Sequence, residues 1–481
     1  MHLSEIFKRL DYFCKTKSCT KIINYVSLNY FSWFLIIVLL LFVLGLSLTT
    51  RFDRDEIESI HTSWKILHGE KIYVDFFQHH HPLLYYFLVP LVGLLGEHTT
   101  TLVAARLVIF LLFILILAVT YHLAQRIFNC QIATSSLILL LSTLIFSYKG
   151  IEVRPDIPQI LFGLFAFALL FEHIDKKQRN YLWLSAISLA ISFLFLQKSV
   201  ILIFVLIVLF LISLIQKKIN PYELTIYWII FLLCLIPYLI YLIFSSSLSS
   251  YYFFNWILNV KFIARFYAFS TLANSYQNNT LNWSFYILGL LFTLKRFSEK
   301  LLGIASLVLL FLIIAGRKHH YHYFVILFPF VSVIAANALH TLFKNKKVIS
   351  SILILLIISP IYQYSKSFSE TTRNQQVQKI NYVLSITDSN DYVYDGRNSF
   401  NLFRKDIDFF WYSLNPGYGL STYQSIHNYN YNIYEKISQY QPKVISTYLL
   451  KDLQTDVITS HYRQSQDYDD LLIRVPDNTQ R

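Results

Sequence analysis

Two groups of carboxylates with nearby cations are the residues of this chain best suited to chemistry. The first is Asp53, Asp55 and Glu56 in the stretch Arg51-Phe-Asp-Arg-Asp-Glu. The second is Glu152-Val-Arg154-Pro155-Asp156. A carboxylate partly withdrawn from water has its pKa raised and can take a proton from an attacking hydroxyl. The same residues have plainer uses. Acids at a helix N-terminus cap it and complement its dipole, and Arg154 and Asp156 can form a structural ion pair. The cations Lys149, Arg154, Lys198, Lys261, Arg265, Arg317 and Lys318 suit a phosphate, because fixed positive charge stabilises a leaving group that gathers negative charge. Lys198 is the most informative, since it lies between two apolar runs with almost no loop to solvate it; snorkelling to an interface is its plainer use. His79-His80-His81 before Pro82, and His319, His320 and His322, form two histidine runs. Consecutive histidines rarely all ligate one ion and no cysteine joins them. Hydrogen bonding to substrate or backbone is therefore favoured over a divalent metal, and no cofactor is expected.

Membrane helices must position these residues. Of 481 residues, 55% are hydrophobic and only 14% charged. A soluble enzyme of this length would need far more polar surface, and an aromatic content of 17% is the opposite of a disordered chain's signature. The net charge of +13 would point to nucleic acid in a soluble protein. Here the cations cluster between apolar runs, which is the positive-inside pattern, and no nucleic-acid partner is expected. Cys14, Cys19, Cys130 and Cys234 have neither metal-ligand spacing nor a disulfide framework. Lys8, Arg9, Lys15, Lys17 and Lys21 precede the first apolar run without a small-residue cleavage site, so residues 1–32 read as a cytoplasmic lead-in to an uncleaved span.

Apolar runs long enough to cross lie near 33–50, 101–125, 131–148, 157–173, 181–196, 199–215, 224–244, 281–294, 301–316, 323–342 and 348–362. The fold expected is an all-α polytopic membrane protein of about eleven spans. A twelfth run, Pro82–Gly96, is short and holds Pro90; treating it as an interfacial helix puts Arg126, Lys176, Lys177, Arg179, Lys217, Lys218, Lys295, Arg296, Lys300, Lys344, Lys346 and Lys347 all on the cytoplasmic side. The outer face then carries a first loop at 51–100, the connection 148–156, the turn Gln197–Lys198, the loop 245–280, the hinge 316–322 and everything after residue 363. In the first loop, Ile57, Ile60, Trp64 and Leu67 recur at helical spacing and predict a lipid-facing stripe ended by Gly69. The polar tail, 363–481, predicts a small α/β extracytoplasmic domain from strand-like runs near 391–395, 443–448 and 471–475. A carboxylate where the first span leaves the bilayer sits at the depth where a lipid-linked substrate presents its headgroup.

The order of these motifs resembles the GT-C membrane glycosyltransferases, in the branch of the protein O-mannosyltransferases and the lipid A aminoarabinose transferase (glycosyltransferase family 39-like). The resemblance rests on Asp55-Glu56, Gly69-x-x-Ile-Tyr-x-Asp75, His80-His81-Pro82-Leu83, Ala104-Ala105-Arg106-Leu107, Arg154-Pro155-Asp156, Gln197-Lys198 and His320-Tyr-His-Tyr323…Pro329. It covers roughly residues 30–340 and makes 33–362 the catalytic membrane domain. It implies that a polyprenyl-phosphate sugar is attacked by an acceptor hydroxyl in one inverting step on the outer face. By resemblance Asp55 is the base and Asp156 a second acid positioning acceptor or sugar. Arg154, Lys198, Arg317 and Lys318 are the candidates for the donor phosphate, with Glu56, Asp75, His80, His81, His320 and Tyr323 in support. The family often has two prolines where this chain has His81-Pro82, a departure that bears on the donor headgroup. Sugar, and whether the acceptor is glycan, lipid or protein, stay open. The implied location is a multi-pass bacterial inner membrane, N-terminus cytoplasmic and C-terminus outside, or the endoplasmic reticulum membrane in a eukaryote. A lipid-linked glycan ligase or polymerase would concentrate its cations in one large loop, and a transporter would show repeats and broken helices at the midplane. A lipid-binding scaffold would use the acids only as caps.

Overall fold

In hydrocarbon the backbone must close its own hydrogen bonds, so apolar runs of this length become helices. The computed structural model describes residues 17–261, 268–316, 321–416, 418–450 and 452–475. Among the described residues, seven helices are long and apolar enough to cross a membrane: Tyr30–Thr49, Thr100–Ile127, Asp156–Lys176, Gln197–Ile215, Pro221–Phe244, Phe297–Ala315 and Lys346–Ile386. Shorter apolar helices cover Leu83–Leu95, Cys130–Leu141, Arg179–Phe195, Thr280–Phe292 and Phe328–Leu342. All eleven expected runs are mainly helical, but four of them fall among these shorter helices. The reasons are local. The run at 131–148 breaks where Thr143 leaves helical geometry, at ψ 102°, and a short helix Leu144–Lys149 follows. The run at 323–342 starts as a tight 3-10 turn over Tyr321–Ile326. The last run continues through Pro360 to Ser369, so a boundary at 363 falls inside a helix.

The helix Arg54–Leu67 lies at the centre of the site. Asp53 caps it: Asp55 N donates to Asp53 Oδ1 at 3.1 Å, and Glu56 Oε2 accepts from Asp53 N at 2.7 Å. That is a capping box, and it fixes where the helix begins. The stripe expected to face lipid is instead core, for Ile57, Ile60 and Trp64 are all buried and only Leu67 is substantially exposed. Periodicity marks a face that must be covered without saying what covers it. The cover here is helix Leu83–Leu95 on one side and the C-terminal chain around residues 400–412 on the other.

Glu56 does more than cap. Its carboxylate takes two hydrogen bonds from Arg106, Nε at 2.7 Å and Nη2 at 2.6 Å, with both side chains essentially sealed from solvent. The remaining guanidinium hydrogens reach the carbonyls of Ser47 (3.1 Å), Thr50 (2.8 Å) and Arg51 (2.8 Å). Val153 N donates to Glu56 Oε1 at 3.1 Å. One ion pair thus joins the end of the first span, the outer-loop helix, the start of helix Thr100–Ile127 and the loop before Asp156.

After Ser369 the chain carries helix Arg373–Ile386 and a four-stranded mixed sheet in the order β1-β2-β4-β3. Strand β1 (Val393–Tyr394) runs parallel to β2 (Val444–Ser446); β4 (Leu471–Arg474) is antiparallel to β2 and to β3 (Tyr462–Gln464). The tail is latched to the outer-loop helix by Asp406, which accepts from His61 Nε2 at 2.8 Å and Lys65 Nζ at 2.8 Å.

Removing one partner of a buried bidentate pair strands the other charge. Arg106→Gln is expected to cost about 3–5 kcal/mol, read as a lowered Tm and loss of the monodisperse peak in detergent. An unchanged Tm would show that the pair does not hold these segments.

Candidate active site

The two carboxylate groups of the sequence meet in space. Arg154, in the loop before helix Asp156–Lys176, donates through Nη1 to Asp55 Oδ2 and through Nε to Asp156 Oδ2, the latter at 3.3 Å. Lys198, on the 3-10 turn Gln197–Ser199, donates to the other oxygen of Asp156 at 3.2 Å. Its ammonium lies 3.9 Å from the centre of the Tyr323 ring, a cation–π contact, and Arg154 Nη2 is 3.3 Å from His322 Nε2. Acid, cation, acid and cation therefore alternate along one ladder, Asp55–Arg154–Asp156–Lys198, drawn from three separate segments of the chain.

Exposure separates the two acids. The Asp55 side chain is 44% exposed and that of Asp156 only 15%, so Asp55 is the open end of the ladder. Burial works against the charge of Arg154, but the carboxylates of Asp55, Asp156 and Glu152 outweigh it and hold the guanidinium well above its ordinary range. Beside it, burial pushes Glu152 up to about 7 against the pull of Lys149 and Arg154. Lys149 Nζ donates to both oxygens of Glu152, at 2.6 and 2.8 Å.

The histidine run turns to separate partners. His79 Nδ1 is 2.8 Å from Tyr412 OH. His81 is sealed, with Nδ1 2.5 Å from Phe193 O and Nε2 2.9 Å from Tyr251 OH. Burial holds it down to about 4, so it is a neutral ring that donates to Phe193 and accepts from Tyr251. Burial, then the charges of His79 and Lys198, keep His80 well below its ordinary range, and its Nδ1 has no hydrogen-bond partner. Among the described residues, no group of three or more His, Cys, Asp or Glu side chains converges as a metal site would require.

Of the other expected residues, Glu56 is committed to Arg106, and Asp75 is exposed, accepting from Lys71 N at 2.6 Å to close its own turn. Arg317, Lys318 and His320 lie outside the described residues.

Sequence reasoning missed the buried network beneath Asp55. Glu58 accepts from Gln78 Nε2 at 3.0 Å and Tyr85 OH at 3.4 Å, and Tyr412 OH donates to Gln78 Oε1 at 2.7 Å. Burial, then the charge of Asp55, push Glu58 up to about 8, so it is protonated at neutral pH. Its position three residues after Asp55 on one helix was the available signal. Nothing near Gln78 in sequence points to Tyr412.

Residues 80–244 match the dolichyl-phosphate-mannose-protein mannosyltransferase family. The match holds His80, His81, Arg154, Asp156 and Lys198 and stops short of Asp55 and Tyr323. The structure is similar to ArnT from Cupriavidus metallidurans in the apo state, with a TM-score of 0.51 at 17% identity over 64% of this chain and 59% of that one. It is also similar to the same protein bound to undecaprenyl phosphate, with a TM-score of 0.54 at 15% identity over 72% and 68%. The chain has the GT-C fold. The archaeal oligosaccharyltransferase AglB from Archaeoglobus fulgidus, in complex with an inhibitory peptide and a dolichol-phosphate, shares that fold, with a TM-score of 0.53 at 12% identity over 86% and 69%. This chain spans less than two thirds of the apo ArnT chain. No curated protein matches it in sequence. Its GT-C fold and its apolar helices make it a multi-pass integral membrane protein.

The raised Glu58 gives a signed pH dependence. Unfolded, a glutamate releases its proton near its ordinary 4.5; folded, Glu58 holds it to about 8. Stability is therefore greatest below the lower value and falls as pH rises between them, with Glu152 adding the same sign up to about 7. Glu58→Gln keeps the hydrogen-bonding shape without titrating, and is expected to flatten the fall in Tm between pH 5 and 8. A slope identical to that of the unaltered protein would refute the buried, protonated Glu58.

Proposed function

We propose that this chain is an integral-membrane glycosyltransferase that moves a sugar from a polyprenyl-phosphate donor to an acceptor hydroxyl. The ladder Asp55–Arg154–Asp156–Lys198 carries the reading. A departing lipid phosphate needs preorganised positive charge, and an attacking hydroxyl needs a proton acceptor beside it. Arg154 and Lys198 offer the first, and Asp55, the exposed end, offers the second. The match over residues 80–244 and a fold shared with a protein that holds undecaprenyl phosphate support a polyprenyl-phosphate donor.

In the proposed step, the acceptor oxygen attacks the anomeric carbon as its proton passes to the Asp55 carboxylate. The bond from that carbon to the phosphate oxygen breaks with inversion, and its electron pair leaves on the phosphate, beside Lys198 and Arg154. Donor phosphate and Asp55 compete for Arg154. As the phosphate draws the guanidinium toward itself, the Asp55 carboxylate is released from its hydrogen bond to Arg154 and is free to accept the hydroxyl proton. Asp156, held by both cations, keeps them apart and oriented. Arg317 and Lys318 are further candidates for the phosphate. In the same reading the four shorter helices also cross, completing eleven spans, with the N-terminus cytoplasmic, and the ladder and the C-terminal α/β domain on the outer face of a bacterial inner membrane.

The test is transfer from radiolabelled polyprenyl-phosphate sugars by purified protein in nanodiscs. Asp55→Asn is expected to lower turnover by at least about 100-fold, within the range of general-base catalysis, while leaving donor affinity little changed. Lys198→Met is expected to weaken donor binding by about tenfold or more, as loss of a charge-assisted hydrogen bond would. Turnover of Asp55→Asn equal to that of the unaltered protein would overturn the assignment of the base.

A further inference from the structure

A cleft of about 1370 Å³ opens on the far side of the Asp53 cap, between Arg51–Arg54 and Glu152 on one wall and the C-terminal chain on the other. Its lining begins within two residues of both Asp55 and Arg154 but includes neither. We propose that this cleft holds the acceptor, and that the acceptor is a neutral oligosaccharide; the inference rests on the transferase reading above.

Three properties point to that class. Among the described lining residues Phe52 is the one with a purely hydrocarbon side chain, which offers little surface to an acyl chain. Among the described residues four basic and four acidic side chains line it, so the cations are nearly balanced and little net charge is left to attract an anionic headgroup. The rest is amide, hydroxyl and tyrosine. Sugars present hydroxyls that need donors and acceptors, and C–H faces that lie against aromatic rings. Tyr382 and Tyr468 stand as a ring pair with centroids 5.1 Å apart, and Arg397 lies 4.9 Å from the centre of the Tyr448 ring. The volume exceeds the roughly 300–1,000 Å³ of a site for one small ligand, which leaves room for several sugar rings.

A further observation comes from Asn398. This lining residue is 7% exposed, adopts a left-handed φ of 52°, and its amide oxygen has no hydrogen-bond partner. A buried acceptor without a donor is costly in a folded chain, and a sugar hydroxyl reaching into the cleft would supply the missing proton. The exposed amides Gln375 and Gln378 lie on helix Arg373–Ile386 in the same lining.

The experiment is binding of the full chain in nanodiscs to an array of neutral oligosaccharides, alongside a Ser/Thr-rich peptide and lipid A, with undecaprenyl phosphate binding measured on the same samples. The expected result is capture of at least one neutral oligosaccharide. Asn398→Ala should weaken that binding tenfold or more, and the exposed double variant Gln375→Ala/Gln378→Ala, which disturbs no core residue, should weaken it severalfold. Both should leave undecaprenyl phosphate binding unchanged. Binding of the peptide or lipid A that the double variant weakens, or no oligosaccharide bound by a protein that binds undecaprenyl phosphate, would overturn the inference alone. Loss of undecaprenyl phosphate binding in the unaltered protein would instead overturn the transferase reading and this inference with it.

Discussion

The bidentate pair between Glu56 and Arg106 is the constraint on which the site depends. Both charges are out of water, so each is tolerable only while the other is in place. Arg106 also closes the carbonyls at the end of the first span, and Glu56 closes the cap of the outer-loop helix and receives Val153 N. That single junction sets Asp55, the residue before Glu56, against Arg154, the residue after Val153. A glutamate that looks like a second candidate acid in the sequence is thus the anchor that aims the first.

The ladder built on this anchor balances its charge internally. Arg154 lies between two carboxylates and Asp156 between two cations, so every buried charge has an opposite neighbour. Such an arrangement can exchange partners when an anion arrives without leaving a bare charge behind. Beneath it, protonated Glu58 extends the same economy of charge, because a second ionised carboxylate one turn from Asp55 would repel it.

The C-terminal chain takes part in building the site. Asp406 grips His61 and Lys65, Trp411 donates to Phe77 O at 3.1 Å, and Tyr412 completes the hydrogen bonds of Gln78 and His79. These contacts hold the C-terminal chain against His61 and Lys65 of the outer-loop helix, and its Phe400, Leu402 and Phe403 join the core that buries Ile57, Ile60 and Trp64. Other parts of the same C-terminal chain, among them Tyr382, Asn398 and Tyr448, form one wall of the cleft beside the Asp53 cap.

The sequence alone determined the membrane class, the helical runs, the Asp55 helix start and the three short strands near 393, 444 and 471. Each follows from local information: apolar length, capping residues and alternation. It also singled out Asp55, Arg154, Asp156 and Lys198, because ionisable residues at the ends of apolar runs are conspicuous. Only the tertiary structure decided which charges meet. Glu56 and Arg106 are 50 residues apart, and His61 and Asp406 are 345 apart. Nothing local distinguishes a carboxylate that will be sealed against an arginine from one left open to solvent. Burial decides that, and burial is a property of the packed helices together.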